Sequence, residues 1–381
     1  MKILLYSVFW PSIGGIETIA DTLARTIISM GHECIVVTDT PAEQEENFGY
    51  RVVRRPSRFT RYKLARECSL VHSNGASVAM YPYARLAGKP FVWTHNGYQV
   101  SQIGGLGWNH DGTPVPLTVS NFVRFYFQLG GLVAPLTEAI KYFVRRYIAD
   151  HVDLNIACSQ WVADRQPLQN QEVAYAPYAL NGYKAARFSA GETNALNYDF
   201  LFVGRLVSEK GVEDLIRAFH LLIADPNWNK KSLAIVGDGP LRNELERLAS
   251  DLGLLKHISF LGFKREKELV DIMARARIGV IPSLYEEPQG GVVLELMAAG
   301  KNVIVSERGG HAECVGNAGL KFPNGSVSSL HECMIALLSD ESLAKSQLEL
   351  AASRVESFGE EKLTQRYLEL YDRVIEKQKH K

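Results

Sequence analysis

The sequence predicts an α/β protein of two doubly wound units, each a parallel sheet flanked by helices, facing one another across a cleft. Three observations predict it. Short β-branched runs alternate with periodic helical stretches, and the alternation occurs twice along the chain. The periodicity breaks between Tyr178 and Tyr198, where Asn181-Gly182 and Ser189–Thr193 intervene. A chain of 381 residues also exceeds what one core of ordinary size organises. The units are therefore expected over 1–180 and 181–359, followed by a final helix over 360–377.

In the first half, Ile3–Ser7 reads as a buried strand, Gly14-Gly15 as the turn after it, and 16–30 as a helix. Cys34–Thr38, Leu70–Val71, Phe91–Thr94 and Leu154–Cys158 read as further strands, with helical stretches such as Ala76–Leu86 between them. The second half has the cleaner rhythm. Its strands are Phe200–Val203, Leu233–Val236, Ile258–Leu261, Ile278–Ile281 and Val303–Val305. Helices over Val212–Ala224, Leu241–Leu252, Glu266–Ala276 and Gly291–Ala299 separate them. In Glu360–Glu376, Leu363, Tyr367, Leu370 and Tyr371 fall on one helical face.

Composition narrows the functional classes. Forty-two Lys and Arg balance 42 Asp and Glu, so no global field recruits nucleic acid. A hydrophobic content of 46% suits a well-packed chain, and no apolar run reaches the length of a membrane span. The start, Met1 to Tyr6, reads as a strand rather than a signal peptide. Five scattered cysteines without a C-x-x-C pair suit buried thiols in a reducing cytosol, so a cytoplasmic protein is expected. Asn324-Gly325-Ser326 matches a glycosylation acceptor by chance in such a setting. There is no H-E-x-x-H, no G-x-S-x-G and no P-loop, which removes support for zinc protease, hydrolase and NTPase chemistry.

The residues that can carry chemistry sit where strands end. Glu287 lies on a polar loop after a strand, and Glu295 inside the helix that follows. Between them are Gln289, Gly290 and Gly291, whose backbone N–H groups open that helix and favour an anion. Two hydroxyl-binding carboxylates around an anion site suit a ligand that is part sugar and part phosphate. Arg205 and Lys210, in the loop from Gly204 to Gly211, offer a fork of donors and a point charge that together neutralise a diphosphate. Gly14 and Gly15 permit close backbone approach to a phosphate or sugar, or simply make a turn. Gly237-Asp238-Gly239-Pro240 has Arg242 at the third glycine position of G-x-G-x-x-G, so it shapes a pocket or connects two elements. His95, ending a strand, serves as a hydrogen-bond donor, as a proton shuttle or as structure, and His72 is a weaker candidate.

These segments together resemble the retaining nucleotide-sugar transferases of glycosyltransferase family 4, which have the GT-B fold. The resemblance runs along almost the whole chain. It is carried by Gly14-Gly15-Ile16-Glu17, Val203-Gly204-Arg205-Leu206, Glu209-Lys210-Gly211 and Gly237-Asp238-Gly239-Pro240. Pro282-Ser283-Leu284-Tyr285-Glu286-Glu287-Pro288 with Glu295, then Ser306 to Glu313, complete it. It implies Arg205 and Lys210 on the donor diphosphate, Glu295 on the ribose hydroxyls and Glu287 facing the donor sugar. It further implies Gln289 to Gly291 amides at sugar and phosphate, a Gly14-Gly15 loop over the diphosphate, and His95 near the transferred sugar. The first domain would be the acceptor side, the second the donor side, and the last helix would cross back onto the first. No metal or other cofactor is implied; the nucleoside-diphosphate sugar is a co-substrate. Three positions depart from the pattern: Gln289 replaces the usual Phe, Pro177–Asn181 matches the linker motif poorly, and Asn74 stands where a second His is common.

The expected reaction is transfer of a hexosyl-type sugar, with retention, to an acceptor hydroxyl on a glycan or lipid-linked molecule. A nucleotide-sugar epimerase of the same fold and a silent sugar-nucleotide-binding scaffold are the alternatives. Two further stretches bear on a partner. Arg51, Arg54, Arg55, Arg58, Arg61, Lys63 and Arg66 form a run without acids. Between Phe122 and Ile148, aromatic residues mix with Arg124, Lys141, Arg145 and Arg146. Both suit peripheral association with an anionic membrane at its inner face. The competing reading of the second stretch is an aromatic stripe facing the core, with solvated charges.

Overall fold

The structure, a computed structural model, describes residues 1–11, 15–42, 47–101, 118–131, 133–189 and 197–380. The described residues group into two compact units, one within Met1–Gly107, Val115–Ala179 and Phe358–Lys381, the other within Leu180–Ser357. Each is a parallel α/β sheet with helices on both faces, as the alternation of strands and helices predicts.

In the first unit, β1 (Lys2–Ser7), β2 (Glu33–Thr38), β3 (Arg51–Arg54), β4 (Leu70–Asn74), β5 (Phe91–His95), β6 (Leu154–Ala157) and β7 (Gln171–Val173) form one sheet. Their order is β3-β2-β1-β4-β5-β6-β7. Residues alternate between the two faces, as a strand demands. Ile3 and Leu5 pack with Leu23 and Ile27 of α1 (Ile16–Ser29). Leu4 and Tyr6 pack on the opposite side with Leu64 of α2 (Arg58–Glu67) and Ala84 of α3 (Tyr81–Leu86). A hairpin of α4 (Val119–Gly130) and α5 (Ala134–His151), then the short α6 (Gln160–Arg165), complete the middle of this unit.

In the second unit, α7 (Asn181–Ser189) precedes β8 (Tyr198–Val203), α8 (Val212–Ala224), β9 (Leu233–Val236), α9 (Arg242–Asp251) and β10 (Ile258–Gly262). Then follow α10 (Glu266–Ala274), β11 (Ala276–Ile281), α11 (Gly291–Ala298), β12 (Asn302–Ser306), α12 (Gly310–Val315) and β13 (Leu320–Phe322). Helices α13 (Val327–Ser339) and α14 (Glu341–Glu356) close the unit. The strand order is β10-β9-β8-β11-β12-β13. In both sheets the winding reverses once, between β1 and β4 and between β8 and β11. Such a reversal leaves a crevice at the carboxyl ends of the two neighbouring strands, where open α/β sheets bind ligands.

The last helix, α15 (Glu360–Lys379), packs with α1 on the first unit's sheet. Its stripe Leu363, Tyr367, Leu370 and Tyr371 is buried. The Tyr367 hydroxyl donates to the Ala174 carbonyl at 3.2 Å. Arg366 and Arg373 both pair with Glu172. Tyr371 lies 2.8 Å from Nδ1 of His72, and the other ring nitrogen of that histidine meets Thr94 Oγ1 at 2.8 Å. Burial pushes the His72 imidazole down to about 3, so it is a neutral core residue rather than a site residue.

Several local expectations change. Asn181-Gly182 starts a helix instead of breaking periodicity. Residues 76–80 precede α3 rather than belonging to it. The basic run from Arg51 to Arg66 folds as β3 and α2. Part of its charge is consumed internally: Arg54 donates to the carbonyls of Trp10 and Thr40 at 2.7 and 3.1 Å, and Arg61 pairs with Asp39. Tyr371→Phe should remove one buried hydrogen bond and cost about 1 kcal/mol of stability, read as a lower denaturation midpoint without a change in slope.

Candidate functional site

The second unit gathers its charged candidates at the β8/β11 reversal. After β8 the backbone turns through Gly204, Arg205 and Leu206 into a single tight helical turn, Ser208–Lys210. The Gly237-Asp238-Gly239 turn braces this loop. The Leu206 amide donates to the Asp238 carbonyl at 2.9 Å, and the Gly204 amide to Val236 at 3.0 Å. Gly237 has φ 136°, and a Cβ there would lie 1.8 Å from the Gly204 carbonyl oxygen. Only glycine permits that contact. The turn therefore braces the loop that carries Arg205.

After β11, the loop from Pro282 to Gly290 leads into α11. It is tied down on two sides. Gly310 donates its amide to the Glu287 carbonyl at 2.6 Å, and a Cβ on Gly310 would lie 2.1 Å from the Pro288 oxygen. Asn324 turns its amide inward and donates to the carbonyls of Ser283 and Leu284 at 3.0 and 3.1 Å. Beneath the loop, fully buried Glu286 pairs with Arg308 at 2.6 Å. Sequence reasoning anticipated none of these braces.

The braced loops bring Lys210 and Glu287 together, Nζ to Oε1 at 2.9 Å, with side chains 17% and 13% exposed. Ser283 donates its hydroxyl to the same Oε1. Burial alone would raise the Glu287 carboxyl; Lys210, His311 and Ser283 outweigh it and hold the group below its ordinary value. Burial likewise opposes charge on Lys210, and Glu287 reverses the effect, holding the ammonium above its ordinary value. Both groups are thus charged at neutral pH. Because both hydrogen bonds converge on Oε1, Oε2 has no partner among the described residues. Arg205 is more exposed, its side chain 59% accessible and 3.7 Å from Glu209.

Glu295 is one turn inside α11, a helix buried on most sides rather than amphipathic. Burial pushes its carboxyl up to about 7, opposed by a hydrogen bond from the Tyr183 hydroxyl. Tyr183 on α7 gave no signal in the sequence. Gln289 is buried at the start of α11 beside Gly290 and Gly291. His311 was also missed. Fully buried, it places Nε2 2.8 Å from Ser306 Oγ, and burial holds its imidazole below the ordinary value.

The first unit brings several uncharged side chains together at its own reversal. Ser7, Asn74 and Asn96 are linked there, Asn96 donating to Asn74 Oδ1 at 2.7 Å. His95 sits next to them at the end of β5, buried, with Nε2 2.8 Å from Asn155 Oδ1. Asn155 donates its amide nitrogen to the Ala149 and Gln169 carbonyls, which fixes the amide and makes His95 Nε2 the protonated nitrogen. Burial pushes His95 down to about 4. It is therefore neutral, and its Nδ1 is an acceptor with no partner among the described residues. A charged proton shuttle does not fit this environment; a hydrogen-bond acceptor does. Gly14 lies outside the described residues. Gly15, at φ 101°, donates its amide to Glu17 Oε1 at 2.9 Å, so that donor is already engaged. No group of three or more His, Cys, Asp or Glu that could hold a metal occurs among the described residues.

Comparison with known proteins gives this geometry a family. The model described as Glycosyltransferase Family 4 matches residues 13–166, and the one described as Glycosyl transferases group 1 matches residues 187–354. A glycogen synthase of Mycobacterium tuberculosis is 27% identical over 383 residues, covering 94% of this chain and 91% of that protein. The N,N'-diacetylbacillosaminyl-diphospho-undecaprenol alpha-1,3-N-acetylgalactosaminyltransferase of Campylobacter jejuni is 32% identical over 46% of this chain and 44% of its own length. Among solved structures, Anabaena HepE in complex with UDP superimposes with a TM-score of 0.73 at 20% identity, covering 98% of this chain and 100% of that one. The same protein has also been solved with UDP-glucose. The chain belongs to the GT-B glycosyltransferases of the family 4 type. Its general activity is glycosyl transfer from a nucleotide sugar.

Removing one member of the Lys210–Glu287 pair should cost more than removing both charges. Lys210→Met alone should destabilise by about 3 kcal/mol, the lower end for a buried pair because both side chains keep some exposure. Lys210→Met with Glu287→Gln should recover at least half of that loss in equilibrium denaturation.

Proposed function

We propose that this protein transfers a hexose-type sugar from a nucleoside diphosphate to an acceptor hydroxyl, with retention at the anomeric carbon. The observation that carries the reading is the Lys210–Glu287 pair at the β8/β11 reversal, with one carboxylate oxygen lacking a partner among the described residues. Lys210 and Arg205 would take the diphosphate. As the glycosidic bond breaks, negative charge grows on the leaving phosphate while the sugar gains oxocarbenium character. A preformed ammonium needs no reorganisation to stabilise that charge. Glu287 Oε2 would accept a sugar hydroxyl and orient the ring. Glu287 is kept ionised by Lys210, and it serves here as an orienting group rather than the attacking one. The acceptor hydroxyl would then approach from the face that the diphosphate leaves, which gives retention.

Glu295 would receive the ribose hydroxyls, and Gln289 to Gly291 would meet the sugar and phosphate with their backbone. His95, neutral and buried, would stand near the transferred sugar as the family resemblance implies. The positive charge comes from the chain itself, so the reaction is proposed to run without a metal ion or other cofactor. The sugar chain implied by the name of the mycobacterial relative and the undecaprenol carrier in that of the Campylobacter relative support a glycan or lipid-linked acceptor.

Lys210→Ala should lower transfer by about 10²- to 10³-fold, measured as nucleoside diphosphate released with acceptor present, and chelator should leave wild-type transfer unchanged. Donor affinity should also depend on pH. The neutral Glu295 carboxyl has one good acceptor and the carboxylate two, so affinity should rise through about pH 7. The donor's diphosphate is esterified at both ends and does not titrate there. Glu295→Gln should flatten this profile. Tyr183→Phe should move its midpoint to higher pH, because the Tyr183 hydrogen bond favours the ionised carboxyl.

A further inference from the structure

The α4–α5 hairpin reverses the usual placement of apolar residues. On α5, Leu136, Ile140, Phe143, Val144 and Tyr147 follow the i, i+4, i+7, i+8, i+11 spacing of a helical stripe. Such a stripe normally faces the core. Here its members are 66%, 56%, 68%, 47% and 59% exposed, and only Ile148 and Ala149 of this helix are buried. Val119, Val123 and Phe127 of α4, and Val133 between the helices, extend the surface. Together they make nine of the sixteen large apolar side chains exposed among the described residues, so the exposure is concentrated rather than scattered. The core-facing reading is thereby corrected for Phe127, Phe143 and Tyr147, while Phe122, Phe125 and Tyr142 are half-buried. The stripe adjoins an apolar groove of about 600 Å³, in which Phe143, Val144 and Tyr147 face Val78, Tyr81 and Pro82.

Charge selects the occupant. Between Val119 and Ile148 there are four cations, Arg124, Lys141, Arg145 and Arg146, against the single acid Glu138. At about 100° per residue, Lys141 and Arg146 fall on opposite flanks of the apolar stripe. The ion pairs Lys141–Glu138 and Arg146–Asp150 are exposed and weak competitors for an external anion. A second copy of the chain would set the same cations against one another. An apolar ridge edged by cations on both sides matches the boundary between acyl chains and anionic headgroups.

We propose that the α4–α5 hairpin is a membrane-docking surface, its stripe inserted at an anionic lipid interface and its cations against the headgroups. This goes beyond the donor-site reading and does not depend on it. The test is co-sedimentation of the full chain with vesicles of phosphatidylcholine alone and of equimolar phosphatidylcholine and phosphatidylglycerol. The bound fraction should rise at least tenfold with phosphatidylglycerol and fall as salt screens the cations. Leu136→Ser with Phe143→Ser should lower binding at least tenfold, while thermal midpoint and donor affinity stay at wild-type values. Lys141→Glu with Arg146→Glu should abolish the preference for phosphatidylglycerol. Absence of vesicle binding at low salt, or wild-type binding by the Leu136/Phe143 variant, would overturn the proposal. Concentration-dependent dimerisation without vesicle binding would overturn it too, in favour of a second copy.

Discussion

One ion pair organises the loops at the reversal of the second unit's sheet. Lys210 and Glu287 come from loops after β8 and β11, adjacent strands on either side of the sheet's reversal, and meet at 2.9 Å. Neither charge would be stable in that position alone. Lys210 is kept charged against burial by Glu287, and Glu287 by Lys210, Ser283 and His311. Holding two loops close enough for this requires backbone that side chains would block. Glycine at 237 and 310 answers that requirement, one beneath each loop.

The two units divide their chemistry. The second unit presents preformed charge at its reversal, while Ser7, Asn74, Asn96 and a neutral His95 come together at the reversal of the first sheet. Such a division suits a reaction in which one reactant carries a diphosphate and the other offers a hydroxyl. Helix α15 belongs to the same logic, because its Tyr371 helps to fill the hydrogen-bonding capacity of buried His72 beside that neutral cluster.

Much of the fold was legible because buried parallel strands read as short β-branched runs. Leu233–Val236 and Val212–Ala224 have the bounds that their apolar spacing gives. Edge and surface elements were less visible. Strand β3 is Arg-Val-Val-Arg and α2 carries four basic residues, so polarity hid both from a reading based on hydrophobic period. Glu287, Glu295, Arg205 and Lys210 were readable as individuals because each stands at a strand end or helix start. Their partners were not. Tyr183 lies 112 positions before Glu295, Asn155 lies 60 after His95, and no local pattern announces contacts at such separations. The exposure of the α5 stripe was equally hidden, since a helical period shows which residues share a face and not what that face meets.

The most direct measurement is a ligand–mutant cycle by calorimetry, using whichever of uridine, guanosine or adenosine diphosphate binds best. Deleting its terminal phosphate should weaken binding to the wild type and to Glu295→Gln, but hardly to Lys210→Ala. Replacing its ribose 2′-hydroxyl by hydrogen should weaken binding to the wild type and to Lys210→Ala, but hardly to Glu295→Gln. Coupling of about 1–3 kcal/mol in each cycle is the predicted result. Equal losses in all three proteins would show that neither residue meets its assigned part of the nucleotide, and would contradict a donor site built on the Lys210–Glu287 pair.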